Sequence, residues 1–165
     1  MATVALTCDL SCTSGTFHQG ADFFPDNSRG KQCACNALIG ISVLPYLVQH
    51  SCVSPTDLDN VLYEGNNMYL QLTAKADASG YLSFYDLPTN VVVQQSTYTI
   101  HFMGQATIGI LDDDAAVAQN FPTLRENLIN SFQVSHRLLV MLGSNALCVF
   151  SQLPSHFYVF DSHTM

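Results

Sequence analysis

The sequence predicts an α+β domain, with N-terminal helices packed on a largely antiparallel sheet. Three observations carry that prediction. Apolar residues recur at helical spacing up to about residue 72. Beyond Ser79-Gly80 the period shortens to that of extended chain, in runs rich in β-branched and aromatic residues. The last three such runs are joined by short turns, as antiparallel neighbours are. Helices first and clustered strands last favour this class over alternating βαβ units.

In chain order, a short apolar stretch leads into Cys12-Thr13-Ser14-Gly15-Thr16-Phe17-His18-Gln19-Gly20, whose Gly, Ser and Thr content predicts a brief strand running into a loop. Turn formers follow at Pro25, Asp26, Asn27, Ser28 and Gly30. The apolar run after them predicts a helix from about Gln32 to Val48, which Pro45 should kink or end early. Ser54 is the expected N-cap of a second helix, with Pro55 at its first position, acid in its first turn, and Leu58, Val61, Leu62, Met68 and Leu72 inward. Tyr81 to Tyr85, Asn90 to Val93 and Thr97 to Phe102 read as extended, and Asp112-Asp113-Asp114 as a charged loop. Pro122 to Phe132 carries Leu124, Leu128, Ile129 and Phe132 at helical spacing. Three strands then close the chain, Arg137 to Leu142, Ala146 to Leu153 and His156 to His163, with turns at Gly143-Ser144-Asn145 and Pro154-Ser155. No repeat, linker or low-complexity tract divides it, so residues 1–165 read as one domain.

Composition narrows the partners. Nearly half of the residues are hydrophobic and few are charged, which describes a core-rich folded chain. A net charge of −8 with five Lys and Arg argues against nucleic acid, which needs a basic surface, and suits a basic partner. No apolar run reaches the roughly 18 residues of a membrane span, so no membrane partner is expected. The N-terminus lacks both the basic and the apolar regions of a secretory signal, so the six cysteines read as reduced thiols of an intracellular protein. Cys8/Cys12 and Cys33/Cys35 are spaced C-x3-C and C-x-C rather than as paired C-x2-C knuckles, so neither zinc nor any other cofactor is expected. A monomer is expected.

Cys33 is the residue to which chemistry attaches. It stands where the turn-rich loop gives way to the first helix, beside unpaired N–H groups and the positive end of the helix dipole, with Arg29 and Lys31 near in sequence. All of these favour thiolate over thiol. The alternative is a small hydrophobe opening a core helix. The last strand supplies a partner: Asp161 and His163 project from the same side, their Cα atoms about 6.6 Å apart at about 3.3 Å per residue. His156 has the opposite parity and should face away unless a bulge intervenes. Asp161 can hold His163 in one tautomer while His163 takes the thiol proton. Upstream, the Gln19 side chain and the backbone N–H of the nucleophile would together suit a developing oxyanion. Taken singly, D-x-H is a weak signal and Gln19 is an ordinary loop glutamine. Together they point to a thiol hydrolase.

These motifs carry a resemblance. Thr16-Phe17-His18-Gln19-Gly20, then Gly30-Lys31-Gln32-Cys33-Ala34-Cys35-Asn36-Ala37-Leu38, then Phe160-Asp161-Ser162-His163 resemble, in that order, the deubiquitinating cysteine protease domain at the N-terminus of herpesvirus large tegument proteins and of tegument-like deubiquitinases. The resemblance implies a papain-like α+β fold, a ubiquitin isopeptide substrate and no metal. It implies Cys33 as nucleophile, His163 as general base and acid, Asp161 as its orienting carboxylate and Gln19 as the oxyanion-hole side chain. Partners would be ubiquitin, ubiquitin chains or a ubiquitin-like modifier, met in the cytoplasm or nucleus, with a place in the virion tegument if the source is viral. The arginine-bearing, Gly-Gly-ending tail of ubiquitin suits an acidic domain with a narrow cleft. Asp112 to Asp114 are candidate contacts for it, or else a solvated turn. Residues Val53 to Leu142 carry no matching motif.

The family's domain continues past the D-x-H motif, whereas this chain stops two residues after His163, which fits a minimal member, a trimmed piece, or a sheet completed differently. The rival from another class is a ubiquitin-binding module of the same fold with weak or no catalysis. A third reading is a redox thiol pair, Cys33 with Cys35, but helix residues two apart lie about 200° around from each other and do not face one another.

Overall fold

Helix α1 (Cys33–His50) is largely apolar around its circumference and is almost wholly buried from Cys33 to Pro45, and the other elements are arranged to do that. In the computed structural model, which describes residues 11–50, 52–76, 79–102, 122–153 and 156–163, α1 packs against both helix α2 (Pro55–Leu72) and strand β4 (Asn145–Leu153). By length and composition α1 could cross a membrane, contrary to the reading that no run was long enough; here most of it is buried inside the protein as the core helix. Nor does Pro45 end it. The helix runs on to His50 because Leu44 and Pro45 are themselves buried, and that packing offsets the roughly 3 kcal/mol that an interior proline costs. The Pro45 carbonyl also accepts from Gln152 Nε2 of β4 at 2.5 Å.

The local signals at α2 act as predicted. Ser54 Oγ accepts from the Asp57 N–H at 3.3 Å, Asp57 Oδ2 accepts from the Ser54 N–H at 2.9 Å, and Pro55 opens the helix. Val61, Leu62 and Tyr69 are buried, with Leu58, Met68 and Leu72 packed at the margin of the core. Asp59, also buried, accepts from the N–H and hydroxyl of Thr16 at 2.7 and 2.6 Å, fastening the N-terminal loop to α2.

Residues 81–85 are not the expected strand. Ser83 and Asp86 form a second reciprocal cap around a single 3-10 turn, Phe84–Asp86, and such side-chain bonds compete with extended pairing. Strands β1 (Asn90–Val93) and β2 (Ser96–Thr99) pair antiparallel through Gln94 and Gln95, both at positive φ (47° and 70°). Neither is the Gly or Asn that would mark such a turn in sequence. Helix α3 (Leu124–Phe132) is capped reciprocally by Thr123 and Glu126. The charged run at 112–114 and the chain's opening apolar stretch (residues 1–10) lie outside the described residues.

Strands β3 (Arg137–Leu142), β4 and β5 (His156–Phe160) form an antiparallel sheet with β4 in the middle. Ala146, Cys148 and Phe150 of β4 alternate onto the buried face, against α1. The approach is close at Gly40, where a Cβ would stand 2.9 Å from a Phe160 ring carbon and 3.2 Å from Cys148 Sγ. The Gly143-Ser144 turn between β3 and β4 thereby comes beneath the first residue of α1. β5 ends at Phe160 rather than continuing to His163, so the last three site positions lie on a loop.

Burial pushes the thiols of Cys35 and Cys148 up to about 12 from an ordinary 9.0. Folding keeps them protonated while the unfolded chain ionises, so stability present below pH 9 is lost as pH rises from 9 toward 12. The ceiling is about 4 kcal/mol per thiol, at 1.36 kcal/mol per pKa unit. Urea unfolding at stepped alkaline pH should show this fall, and a Cys35→Ala/Cys148→Ala double variant should show a shallower one. Equal slopes would contradict it.

Candidate active site

Three stretches distant in sequence meet at the N-terminus of α1: the loop around Gln19, the start of the helix, and the segment after β5. The loop is anchored by its backbone. Gln19 N–H donates to the Ser162 carbonyl at 3.0 Å, and the Gln19 carbonyl accepts from the Gly30 N–H at 3.0 Å and from Gln32 Nε2 at 3.2 Å. Gln32 is fully buried and shapes the turn that delivers Cys33.

Cys33 is 3% exposed, and its Sγ–H donates to the Ser144 carbonyl at 3.6 Å. Its pKa is raised. Desolvation by burial is the largest cause, the nearby Asp161 charge adds to it, and the N–H groups of Ala146, Ala34 and Cys33 pull the other way. The features that favour a thiolate in the sequence are outweighed here. The helix start does lower the pKa, but burial outweighs it, and the two cations are occupied elsewhere. Arg29 pairs with Asp22 at 2.9 Å and Asp26 at 3.0 Å, and the Lys31 side chain runs over Gly80.

Asp161 and His163 do converge, for a different reason from strand alternation. One Asp161 oxygen, Oδ1, accepts from both the backbone N–H and the ring Nδ1 of His163, at 3.0 and 2.5 Å, a local turn closed by the aspartate side chain. With a carboxylate as acceptor, Nδ1 carries the proton and Nε2 is left as the basic nitrogen. The His163 side chain is 18% exposed and that of Asp161 53%. Among the described contacts the thiol bonds Ser144 and not His163. His156 stands at the other end of β5, exposed and paired with Leu153, and the irregularity between Ser151 and Leu153 falls on β4 rather than within β5.

Gln19 is 4% exposed. Its Oε1 accepts from Ser162 Oγ at 3.0 Å and from Asn36 Nδ2 at 3.4 Å, while its Nε2 has no acceptor among the described residues. Sequence reasoning missed Asn36, Ser162 and Gln32, all inside the motifs it quoted. The available signal was spacing: Asn36 lies three residues after Cys33, on the same helix face. Among the described residues no three His, Cys, Asp or Glu side chains gather as a metal site would, and Cys12, Cys33, Cys35, Cys52 and Cys148 form no disulfide.

A helix that opens on a buried thiol, packed on an antiparallel sheet that leads into an Asp–His pair, has the α+β fold of papain-like cysteine proteases. The chain belongs to the family described as herpesvirus tegument protein, N-terminal conserved region, whose model matches residues 14–165. Among solved structures it is similar to the ubiquitin-specific protease encoded by a murine cytomegalovirus tegument protein, in complex with a ubiquitin-based suicide substrate. The TM-score is 0.73 at 18% identity, over 92% of this chain and 67% of that one. No curated protein matches the chain.

Proposed function

We propose that the chain is a deubiquitinating cysteine protease, residues 1–165 acting inside the host cell as one monomeric catalytic domain on the isopeptide bond after the ubiquitin C-terminal Gly. The observation that carries this reading is the Asp161–His163 pair, on the same loop whose Ser162 hydroxyl bonds the Gln19 side chain at the start of α1. The similar viral protease, solved with a ubiquitin-based suicide substrate, supports ubiquitin or a ubiquitin-like modifier as the partner.

In this reading His163 Nε2 takes the proton from Cys33 Sγ as the sulfur attacks the glycyl carbonyl carbon. Burial has kept that thiol neutral until then. Negative charge moves onto the carbonyl oxygen, where Gln19 Nε2 and the Cys33 N–H donate to it. His163 gives its proton to the departing lysine nitrogen, the C–N bond breaks and a thioester remains. A water then gives a proton to Nε2 as its oxygen attacks the thioester carbon, the C–S bond breaks, Nε2 returns the proton to Sγ, and the glycyl acid leaves as its carboxylate, its proton passing to solvent.

A ubiquitin C-terminal propargylamide probe tests the reading. A sulfur-linked adduct on Cys33 is expected; binding without adduct would instead make the chain a ubiquitin-binding module. Gln19→Ala should lower kcat on a fluorogenic ubiquitin substrate by about 10²–10³ with little change in KM, because the donor acts only as charge develops. Gln19→Glu should be at least as damaging. An unchanged kcat with a raised KM would make Gln19 a substrate-binding loop residue.

A further inference from the structure

The protease reading needs Gln19 to present its amide nitrogen, yet an amide side chain has two ends of nearly the same shape. Something has to choose between them. Gln19 Oε1 has two lone pairs, and both are taken, by Ser162 Oγ–H at 3.0 Å and Asn36 Nδ2–H at 3.4 Å. The two anchors are themselves buried, Asn36 at 0% and Ser162 at 4% exposure. Asn36 is wedged in turn by α2. Its Oδ1 abuts Gly65, where a Cβ would lie 2.0 Å away, and it is a buried acceptor with no partner among the described residues. Such an acceptor costs about 1–3 kcal/mol, so this orientation of Asn36 is held at a cost to stability. Ser162 makes a second contact as well, its carbonyl accepting the Gln19 backbone N–H at 3.0 Å.

We infer that Ser162 and Asn36 are positioning residues that act through Gln19: they bind its carbonyl end and so aim its N–H₂ at the oxyanion. The inference rests on the protease reading for its chemistry. Ser162 lies between Asp161 and His163, so one residue ties the proton-transfer pair to the oxyanion donor. Deleting its hydroxyl lets the amide turn without touching thiol, imidazole or carboxylate.

The test compares Ser162→Ala, Ser162→Thr and Asn36→Ala in the full chain, each with and without Gln19→Ala, on a fluorogenic ubiquitin substrate. Ser162→Ala should lower kcat roughly 10- to 100-fold, a share of what one oxyanion donor supplies, at unchanged KM. Ser162→Thr, which keeps the hydroxyl, should restore most of it. With Gln19 already alanine, neither anchor variant should lower kcat further, since each acts only through that side chain. A full additional loss in that background, or a raised KM at normal kcat, overturns the inference. A second measurement does not depend on activity: the ¹⁵N order parameter of the Gln19 side-chain amide should fall in Ser162→Ala and in Asn36→Ala. An unchanged order parameter overturns the positioning role. Wild-type protein that turns over no substrate overturns the protease reading instead, and the order parameter still decides the role of the anchors. Should Ser162→Ala fail to fold, Asn36→Ala supplies the same comparison from the helix side.

Discussion

Cys33→Ala is expected to abolish both probe labelling and isopeptide cleavage, a loss in kcat on the order of 10⁶, the size seen when the nucleophile of a catalytic pair is removed. Cys35→Ala should keep most of both activities. The two thiols are neighbours in sequence but not in environment. Cys35 is wholly buried with its pKa pushed up to about 12, so it is not ionised at neutral pH. Cys33 sits in the first turn of α1 against the Ser144 carbonyl and near Asp161. Removing the Cys35 sulfur leaves a small void in the core, so its thermal melt should shift modestly while turnover persists. Comparable loss of activity in two folded variants would remove Cys33 from its role.

His163→Ala should be nearly as damaging, again on the order of 10⁶ in kcat, and Asp161→Asn less so, about 10⁴. The difference follows from what each group does. In the proposed mechanism the thiol, which burial favours in its neutral form, cannot attack until a base takes its proton, and His163 Nε2 is assigned that role. Asp161 transfers no proton; it fixes the ring by accepting from Nδ1 at 2.5 Å. Asparagine in its place can present N–H to that nitrogen and stabilise the wrong tautomer. His156→Ala should be mild, since that ring is exposed at the other end of β5. Steady-state kinetics of the three variants settle the matter: an essential His156 beside a dispensable His163 would reverse the assignment.

The sequence was readable wherever the determinants were local. Ser54-Pro55-Thr56-Asp57 predicts a capped helix start because every partner in the cap lies within four residues, and the cap forms. Ser83-Phe84-Tyr85-Asp86 carries the same signal, which the aromatic content of the run obscures, and the cap rather than a strand forms. The turn at Gln94-Gln95 was silent, because only tertiary pairing holds two glutamines at positive φ. At the candidate site, residue identities were legible and their physics was not. Asp161 and His163 meet through a side-chain-closed turn, not through strand parity. The ionisation of Cys33 depends first on burial, which no spacing rule reveals, and Arg29 pairs with Asp22 and Asp26 instead. Asn36 and Ser162 escaped notice because their role exists only across the contact they make with Gln19.

That contact joins residues 143 positions apart, and this separation bears on how the protein assembles. Closing such a loop from open chain costs about 4 kcal/mol by the (3/2)RT ln n rule, too much for two hydrogen bonds to meet unaided. Once α1 has collapsed onto the β3–β4–β5 sheet, the remaining gap is short, so the Gln19–Ser162 pairing is expected to close last. In refolding from urea, helical circular dichroism should therefore recover ahead of reactivity toward the ubiquitin probe. A partly folded chain would then carry a sealed core and an unassembled site.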